Sequence, residues 1–149
     1  MLGSGLTQVT FHKYLGVYIT SNLSWSRHCN ELRSKTNRVL AILQINLSGC
    51  SRQIKEHAYL CLVRPQLEYS TSTWSQYTQK DIKTIESVQR AEQQDARSTT
   101  MGEQTASEMI ADLNWDSLEN RRKWSDSVFF FKIQNKLIDI PFPNDMVEY

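Results

Sequence analysis

Residues 25–43 read WSRHCNELRSKTNRVLAIL, and the spacing of their apolar positions decides the fold class. On a helical wheel of about 100° per residue, these positions fall within an arc of roughly 100°, which is typical of a helix packed on a core. Ser24 is predicted to cap this helix, and residues 47–49 to end it at a glycine. The arc consists of Trp25, Cys29, Leu32, Thr36, Val39, Leu40 and Leu43.

Upstream of this helix, the pattern changes to one typical of β-strands. Residues 9–19 are rich in β-branched and aromatic side chains, which predicts one or two short strands. The Thr20-Ser21-Asn22 segment that follows is turn-like. We therefore expect a short β element over residues 1–22 and a helical bundle over residues 23–97.

Two further helices complete the predicted bundle. The second helix begins after Ser51, is apolar nearly all round and is therefore expected at the centre of the bundle, until Pro65 kinks or ends it. The third follows a capping-box-like segment at residues 78–81. Its apolar stripe of Ile82, Ile85 and Val88 is expected to fail at Glu92 and the polar residues that follow.

The last third of the chain is predicted to pack further helices on this bundle. Residues 98–104 form a polar connection, and residues 105–149 carry the C-terminal helices. A capping box at residues 105–108 opens a short helix, and Asp116 is predicted to cap a longer one that Pro141 and Pro143 stop. The predicted fold is mainly α, with a short N-terminal β-hairpin followed by a bundle of about five helices.

Composition and charge limit the kinds of function that are expected of this chain. The chain has 149 residues, of which 40% are hydrophobic and 22% charged, as in a globular domain. Residues 1–70 carry eight Lys/Arg and three acids (+5), whereas residues 71–149 carry nine and thirteen (−4), which sums to the net charge of +1. A phosphate-binding surface is therefore expected in the first half. No membrane-spanning run is expected, and three cysteines without a C-x-x-C pair favour an intracellular location, nuclear or cytoplasmic.

A basic face lies opposite the apolar arc of the first helix and continues at the start of the second. Side chains placed in this way would contact phosphates in a salt-dependent and sequence-independent manner. The alternative is an ordinary solvated face, because Glu31 lies four residues from both Arg27 and Lys35 and can pair with either. The face consists of Arg27, Lys35, Arg38, Arg52 and Lys55.

Tyr14 and Tyr18 flank a second candidate segment, residues 15–17. An exposed tyrosine there would touch a sugar or stack on a base, and Gly16 would permit close approach of the backbone. The alternative is a half-buried strand with a glycine bulge.

Metal and nucleophile chemistry have weaker support. His57 and Cys61 are one helical turn apart, which is metal-ligand spacing, but no third ligand is evident and a buried structural role for Cys61 is favoured. A Cys–His nucleophile pair is formally possible, although no sequence context supports it. Near the C-terminus, Phe129, Phe130 and Phe131 point to three sides of a helix, so at least one is expected to be exposed to a protein partner or to a second copy.

Three stretches, in this order and spacing, resemble the C-terminal part of reverse transcriptases of jockey- and CR1-like non-LTR retrotransposons. They are Lys13-Tyr14-Leu15-Gly16-Val17-Tyr18-Ile19 with Leu23-Ser24-Trp25 and His28, Ile54-Lys55-Glu56 through Leu62-Val63-Arg64-Pro65-Gln66-Leu67-Glu68-Tyr69 with Trp74, and Leu113-Asn114-Trp115-Asp116-Ser117-Leu118-Glu119 with Arg121-Arg122. The likeness covers nearly the whole chain beyond residue 8.

This resemblance implies a site and a function. Tyr14, Leu15, Gly16 and Val17, with Lys13 before them, correspond to the primer grip, and the helices to the thumb, whose first helix would present the basic face to nucleic acid. The Asp-Asp pair that holds the catalytic metals in the family is absent, so no enzyme activity, metal or cofactor is expected. We expect a non-catalytic fragment that binds template–primer nucleic acid nonspecifically, or alternatively a helical protein-interaction or self-association module. Residues 91–95 depart from the family pattern, being acidic and polar.

Overall fold

The computed structural model describes residues 9–100 and 115–138, except for the side chains of residues 96–100. The predicted mainly α fold with an N-terminal antiparallel hairpin is confirmed. The capping box at residues 105–108, its short helix and the two prolines at 141 and 143 lie outside the described residues. The described elements are β1 (Phe11–Tyr14), β2 (Val17–Thr20), α1 (Ser26–Asn46), α2 (Arg52–Leu62), α3 (Arg64–Leu67), α4 (Gln79–Thr100) and α5 (Leu118–Gln134).

The hairpin closes through a two-residue turn. Tyr14 pairs with Val17 in the antiparallel register, which leaves Leu15 and Gly16 between the strands. Both turn residues have positive φ, 44° and 87°, as in the type I′ turns whose twist matches that of paired strands. Gly16 adopts this conformation without strain, whereas Leu15 does not. The glycine therefore lies in the turn, and the alternative of a bulge within a strand is wrong.

Helix α1 presents its apolar arc to the core as predicted, since all seven arc positions are buried or half-buried. The predicted cap is wrong: the helix begins at Ser26, with Trp25 at the N-cap position and no side-chain cap bond. Ser24 is instead tied to the hairpin, because its carbonyl oxygen accepts a 2.7 Å hydrogen bond from the Thr20 hydroxyl. Its N–H donates to the Asn22 side chain at 3.1 Å.

Helix α2 lies at the edge of the described bundle, contrary to the central position predicted for it. Its buried side carries Lys55 and Tyr59, whereas Ile54 and Leu62 are 50% and 51% exposed and Cys61 is also exposed. Apolar residues on all sides of α2 therefore do not mean that the helix is buried on all sides. The predicted break at Pro65 is confirmed, since α2 ends at Leu62 and the proline lies in the first turn of α3.

Helix α4 starts where the sequence predicts and continues further. The Asp81 N–H donates to Thr78 Oγ1 at 3.2 Å, and the Asp81 carboxylate accepts from the Ser26 hydroxyl of α1 at 3.0 Å. The stripe does not fail, because the polar residues Gln89 and Glu92 are both buried and continue it. The helix extends to Thr100, so residues 98–100 of the expected polar connection are helical.

Helix α5 is capped by Ser117, one residue after the predicted Asp116. The Ser117 side chain accepts from the Asn120 N–H at 3.1 Å, whereas the Asp116 carbonyl oxygen accepts from the Gln89 side chain at 3.1 Å. The first turns are anchored by Leu118 and Arg122, both buried. These two residues attach the first turns of α5 to the core.

Farther along α5 the side chains turn outward. Phe129 is half-buried, while Phe130 and Phe131 are 65% and 58% exposed. The prediction that at least one of these phenylalanines is exposed is confirmed. Trp124, five residues before Phe129, is 72% exposed.

The core lies between α1, α2, α4 and the first turns of α5. Tyr59 and Trp115 stack with ring centroids 4.9 Å apart, and buried Trp74 meets the His28 ring edge-on at 4.4 Å. Among the described helices, none combines the length and the apolar character needed to cross a membrane. The buried apolar residues are Val17, Cys29, Leu40, Tyr59, Val63, Leu67, Trp74, Ile85, Val88 and Leu118.

Candidate nucleic-acid interface

A groove of about 600 Å³ runs between the hairpin turn, α1 and the α3 segment. We call it the hairpin groove. It brings together five of the residues predicted from the sequence, from two separate elements. These are Lys13, Leu15 and Gly16 of the hairpin and Lys35 and Arg38 of α1.

The side chains that line this groove carry a net positive charge. Lys13, Lys35 and Arg38 contribute three cations, against the single carboxylate of Glu31. In the described part of the chain, Lys35 has no carboxylate within salt-bridge distance, and Glu31 pairs with neither Arg27 nor Lys35. The intrahelical pairing expected of an ordinary solvated face is therefore not formed between these residues. Lys35 is therefore available to a polyanion. Lys13 Nζ lies 5.2 Å from the Tyr18 ring centroid and Arg38 donates to the Ser34 hydroxyl at 3.4 Å, and a phosphate would compete with these contacts.

Tyr69, which follows α3, closes one side of the groove. Its hydroxyl donates a hydrogen bond to the Leu15 carbonyl oxygen at 3.1 Å. A Cβ placed on Gly16 would lie 3.6 Å from Tyr69 Cε1, so the ring is close to the turn. The sequence assigned no binding role to Tyr69 and treated it as part of an apolar segment. The contact joins positions far apart in the chain, and no local spacing signals it.

His28 forms the buried wall behind the groove. Its Nδ1 accepts the Tyr18 backbone N–H at 3.4 Å, which ties β2 to α1. Burial, and secondarily the positive charge of Arg122, lower the pKa of His28 to about 4. The imidazole is therefore neutral at physiological pH and adds no charge to the site.

Three of the predicted site residues lie near the hairpin but outside the groove lining. Val17 is 6% exposed and belongs to the core. Tyr14 is 61% exposed beside the turn. Arg27 lies over the Phe11 ring, with its guanidinium carbon 3.5 Å from the ring centroid, and so packs the hairpin on α1. Its cation–π contact competes with any phosphate contact.

The predicted extension of the basic face onto α2 is not formed. Lys55 is 6% exposed, and its Nζ pairs with Asp95 of α4 at 3.0 Å. Arg52 is half-buried and pairs with Glu56 at 2.6 Å. Lysine is rarely buried without a paired acid, and this acid lies on a helix whose continuation the sequence did not predict. The expectation of an exposed Lys55 is therefore wrong.

The alternative chemistries find no assembled site in the described residues. No group of three or more His, Cys, Asp or Glu side chains there is arranged to hold a metal ion. His57 Nδ1 lies 2.7 Å from the Gln53 carbonyl oxygen, and Cys61 is exposed. Burial, with repulsion from Asp81, raises the pKa of Cys29 to about 11, which leaves this thiol protonated and a poor nucleophile.

No protein-family model matches the chain, and no curated protein or solved structure is significantly similar to it. The candidate function therefore rests on the residues of the hairpin groove and on the resemblance of the three sequence stretches.

Proposed function

We propose that this chain is a non-catalytic fragment derived from the RNA-directed DNA polymerase of a non-LTR retrotransposon, similar to its primer-grip and thumb region, and that it binds nucleic acid nonspecifically. One observation carries the proposal. Lys13 of the hairpin lines the same groove as Lys35 and Arg38 of α1, next to an exposed turn. Cations from separate elements converge there on one concave surface.

Binding follows from charge neutralisation. Lysine and arginine side chains that contact phosphates release condensed counterions, so affinity falls steeply with salt and depends little on base sequence. Joining nucleotides requires in addition clustered carboxylates that hold two divalent metals. The sequence has no Asp-Asp pair, so the proposed role is to hold a strand and not to extend it.

Salt titration tests the proposal directly. We would measure binding of a labelled primer–template duplex between 50 and 200 mM salt, on the order of the range where phosphate contacts show their effect. The double variant Lys35→Ala/Arg38→Ala should weaken binding and reduce the slope of log K against log salt by about 2. The matched control is Lys123→Ala/Lys132→Ala, which removes the same charge from exposed positions of α5. Equal losses in both pairs, or no binding at low salt, would overturn the proposal.

A second candidate is a protein-interaction or self-association module. It is favoured by the exposed aromatic side chains of α5: Trp124 at 72%, Phe130 at 65% and Phe131 at 58%. Large aromatic side chains are enriched at protein–protein interfaces, so their exposure on α5 favours this candidate. Sedimentation velocity should then show concentration-dependent association that Phe130→Ser/Phe131→Ser reduces. Leu62→Ser, at an exposed apolar position of α2, is the control. A strictly monomeric chain at all concentrations argues against self-association.

A further inference from the structure

The rim of the hairpin groove carries more than positive charge. Among the lining residues, Tyr69 is 56% exposed and Leu15 73%, and Tyr14, which lies beside the turn, is 61% exposed. Neutralising phosphates does not require exposed rings. A basic groove combined with exposed aromatic surface is the chemistry by which proteins bind unpaired nucleic-acid strands, since every base has a face that can stack.

We infer that the hairpin groove takes a single-stranded nucleic-acid segment, with one base stacked on the exposed face of Tyr69 and the neighbouring phosphates against Lys35 and Arg38. This inference rests on the proposed function and names its substrate class. The same chemistry serves a DNA or an RNA strand, and the two are separate arms of the experiment.

The dimensions of the groove favour an unpaired strand. At about 600 Å³ it lies within the range of roughly 300–1,000 Å³ found for sites that enclose small ligands. One nucleotide with its flanking phosphates enters such a site. In a duplex, both faces of each internal base are covered by stacked neighbours, so a ring can reach a base only where the strand is unpaired. A duplex would therefore contact the rim cations without using Tyr69.

Tyr69 is held in place before any ligand arrives. Its hydroxyl donates to the Leu15 carbonyl oxygen at 3.1 Å, and its ring lies close to the Gly16 turn. A side chain that is already fixed loses less conformational entropy on binding than a mobile one. Tyr69 lines the same groove as the α1 cations, together with Pro65 and Gln66.

The groove also sets limits on how the strand lies. Glu31 is exposed in the lining and repels phosphates, so the backbone is expected to pass over Lys35 and Arg38, which follow it along α1. Stacking and phosphate contacts tolerate any base, so binding should depend little on base sequence.

The experiment compares single-stranded with duplex ligands, and Tyr69 with its variants, in the whole 149-residue chain. Fluorescence anisotropy would give the Kd for a labelled 12-nucleotide single strand of mixed sequence, as DNA and as RNA, and for a blunt duplex of the same length (about one turn of helix). The unpaired strand should bind more tightly than the duplex at equal salt. Tyr69→Leu should weaken single-strand binding by about fivefold or more and leave duplex binding unchanged.

Two further variants control for structure and for the loss of an exposed ring. Tyr69→Phe keeps the ring and removes the hydroxyl, so it should retain the preference for the single strand. Tyr77→Leu removes a comparably exposed tyrosine, 68% exposed, from the segment before α4 and should change nothing. Should Tyr69→Phe lose as much affinity as Tyr69→Leu, the effect belongs to the turn and the stacking inference is overturned.

The failure of this inference is distinguishable from failure of the proposed function. Equal affinity for strand and duplex, with Tyr69→Leu indifferent to both, overturns the inference and leaves salt-sensitive phosphate binding intact. If the double variant Lys35→Ala/Arg38→Ala binds both the single strand and the duplex with unchanged affinity, the proposed function itself is overturned.

Discussion

Arg122 Nη2 donates a hydrogen bond to the carbonyl oxygen of Leu67, 3.1 Å away, and so joins α5 to the end of α3. Arg122 is 5% exposed, and its guanidinium carbon lies over the Trp74 ring, 4.9 Å from the centroid. Its other hydrogen-bond acceptor among the described residues is the Gln76 side chain, which is also neutral. Neutral acceptors and an aromatic face thus stabilise this buried charge in place of a bonded carboxylate.

Replacing Arg122 with alanine should lower the free energy of unfolding by about 2–4 kcal/mol, because a cavity forms and buried acceptors lose their donor. Urea denaturation followed by circular dichroism measures the change. The neighbouring Lys123→Ala should stay within about 0.5 kcal/mol, since that side chain is exposed and its pairing with Glu119 is a surface i,i+4 contact. Similar losses of unfolding free energy in the two variants would contradict the stabilising role of the buried Arg122 side chain.

Glu92 should give the stability an unusual pH dependence. Burial, with repulsion from Asp95 and Glu56 against attraction from Lys55, raises the pKa of Glu92 from 4.5 to about 7. The folded chain therefore holds this proton more tightly than the unfolded chain. The contribution of Glu92 to stability is largest below pH 4.5 and is lost as the pH rises to about 7.

Glu92→Gln tests that sign. Its amide cannot ionise, so the variant should be more stable than the parent at pH 8, by roughly 1–3 kcal/mol, and the difference should shrink towards pH 4.5. His28 contributes the opposite slope, because its lowered pKa makes stability fall as the pH drops from 6.5 to about 4. In Glu92→Gln this His28 slope should become visible in thermal melts across the range. Glu31→Gln, at an exposed position, is the control. A difference independent of pH would refute the assignment.

Ser117 and Asp116 offer a direct test of which residue caps α5. Ser117→Ala should cost about 1 kcal/mol, since it removes the acceptor of the Asn120 N–H. Asp116→Ala should cost little, because its contact with Gln89 uses the backbone carbonyl oxygen and survives the substitution. The reverse order in chemical denaturation would support the cap predicted from the sequence.

The hairpin turn can be probed through its two central residues. Leu15→Asn should stabilise the fold by up to about 1 kcal/mol, because asparagine tolerates a positive φ and the leucine side chain is 73% exposed. Gly16→Ala should destabilise it by about 1 kcal/mol through backbone strain at φ 87°, since the added Cβ meets Tyr69 only at an ordinary contact distance. Thermal melts of the two variants should move in opposite directions. A shift of both in the same direction would be inconsistent with this turn.

Helix α1 shows how much of the fold could be predicted from the sequence. All seven positions that its periodicity predicted face inward, because a long helix with one apolar face has few other ways to pack, although buried His28 was not among them. The break at Pro65 and the cap at Thr78 were likewise predictable, since both follow from local backbone chemistry.

Lys55 and Glu92 show which features of the fold could not be predicted from the sequence. Both are ionisable and both are buried, because α2 and α4 bring Lys55 to Asp95, 40 positions away, and enclose Glu92. The sequence therefore predicted an exposed Lys55 and an early end to the α4 stripe, and both expectations were wrong. Half of the predicted site residues line the hairpin groove, while Tyr69 was missed because its contact with Leu15 spans 54 positions.

The uneven anchoring of α5 has a consequence for local unfolding. Its first turns hold Leu118 and Arg122 in the core, whereas Phe130 and Phe131 near its end face outward. Backbone amides protected only by helical hydrogen bonds open more readily than those backed by buried side chains. Amide hydrogen–deuterium exchange should therefore proceed from the C-terminal end of α5 towards Leu118. A ligand that covers the exposed phenylalanines would slow exchange at that end first.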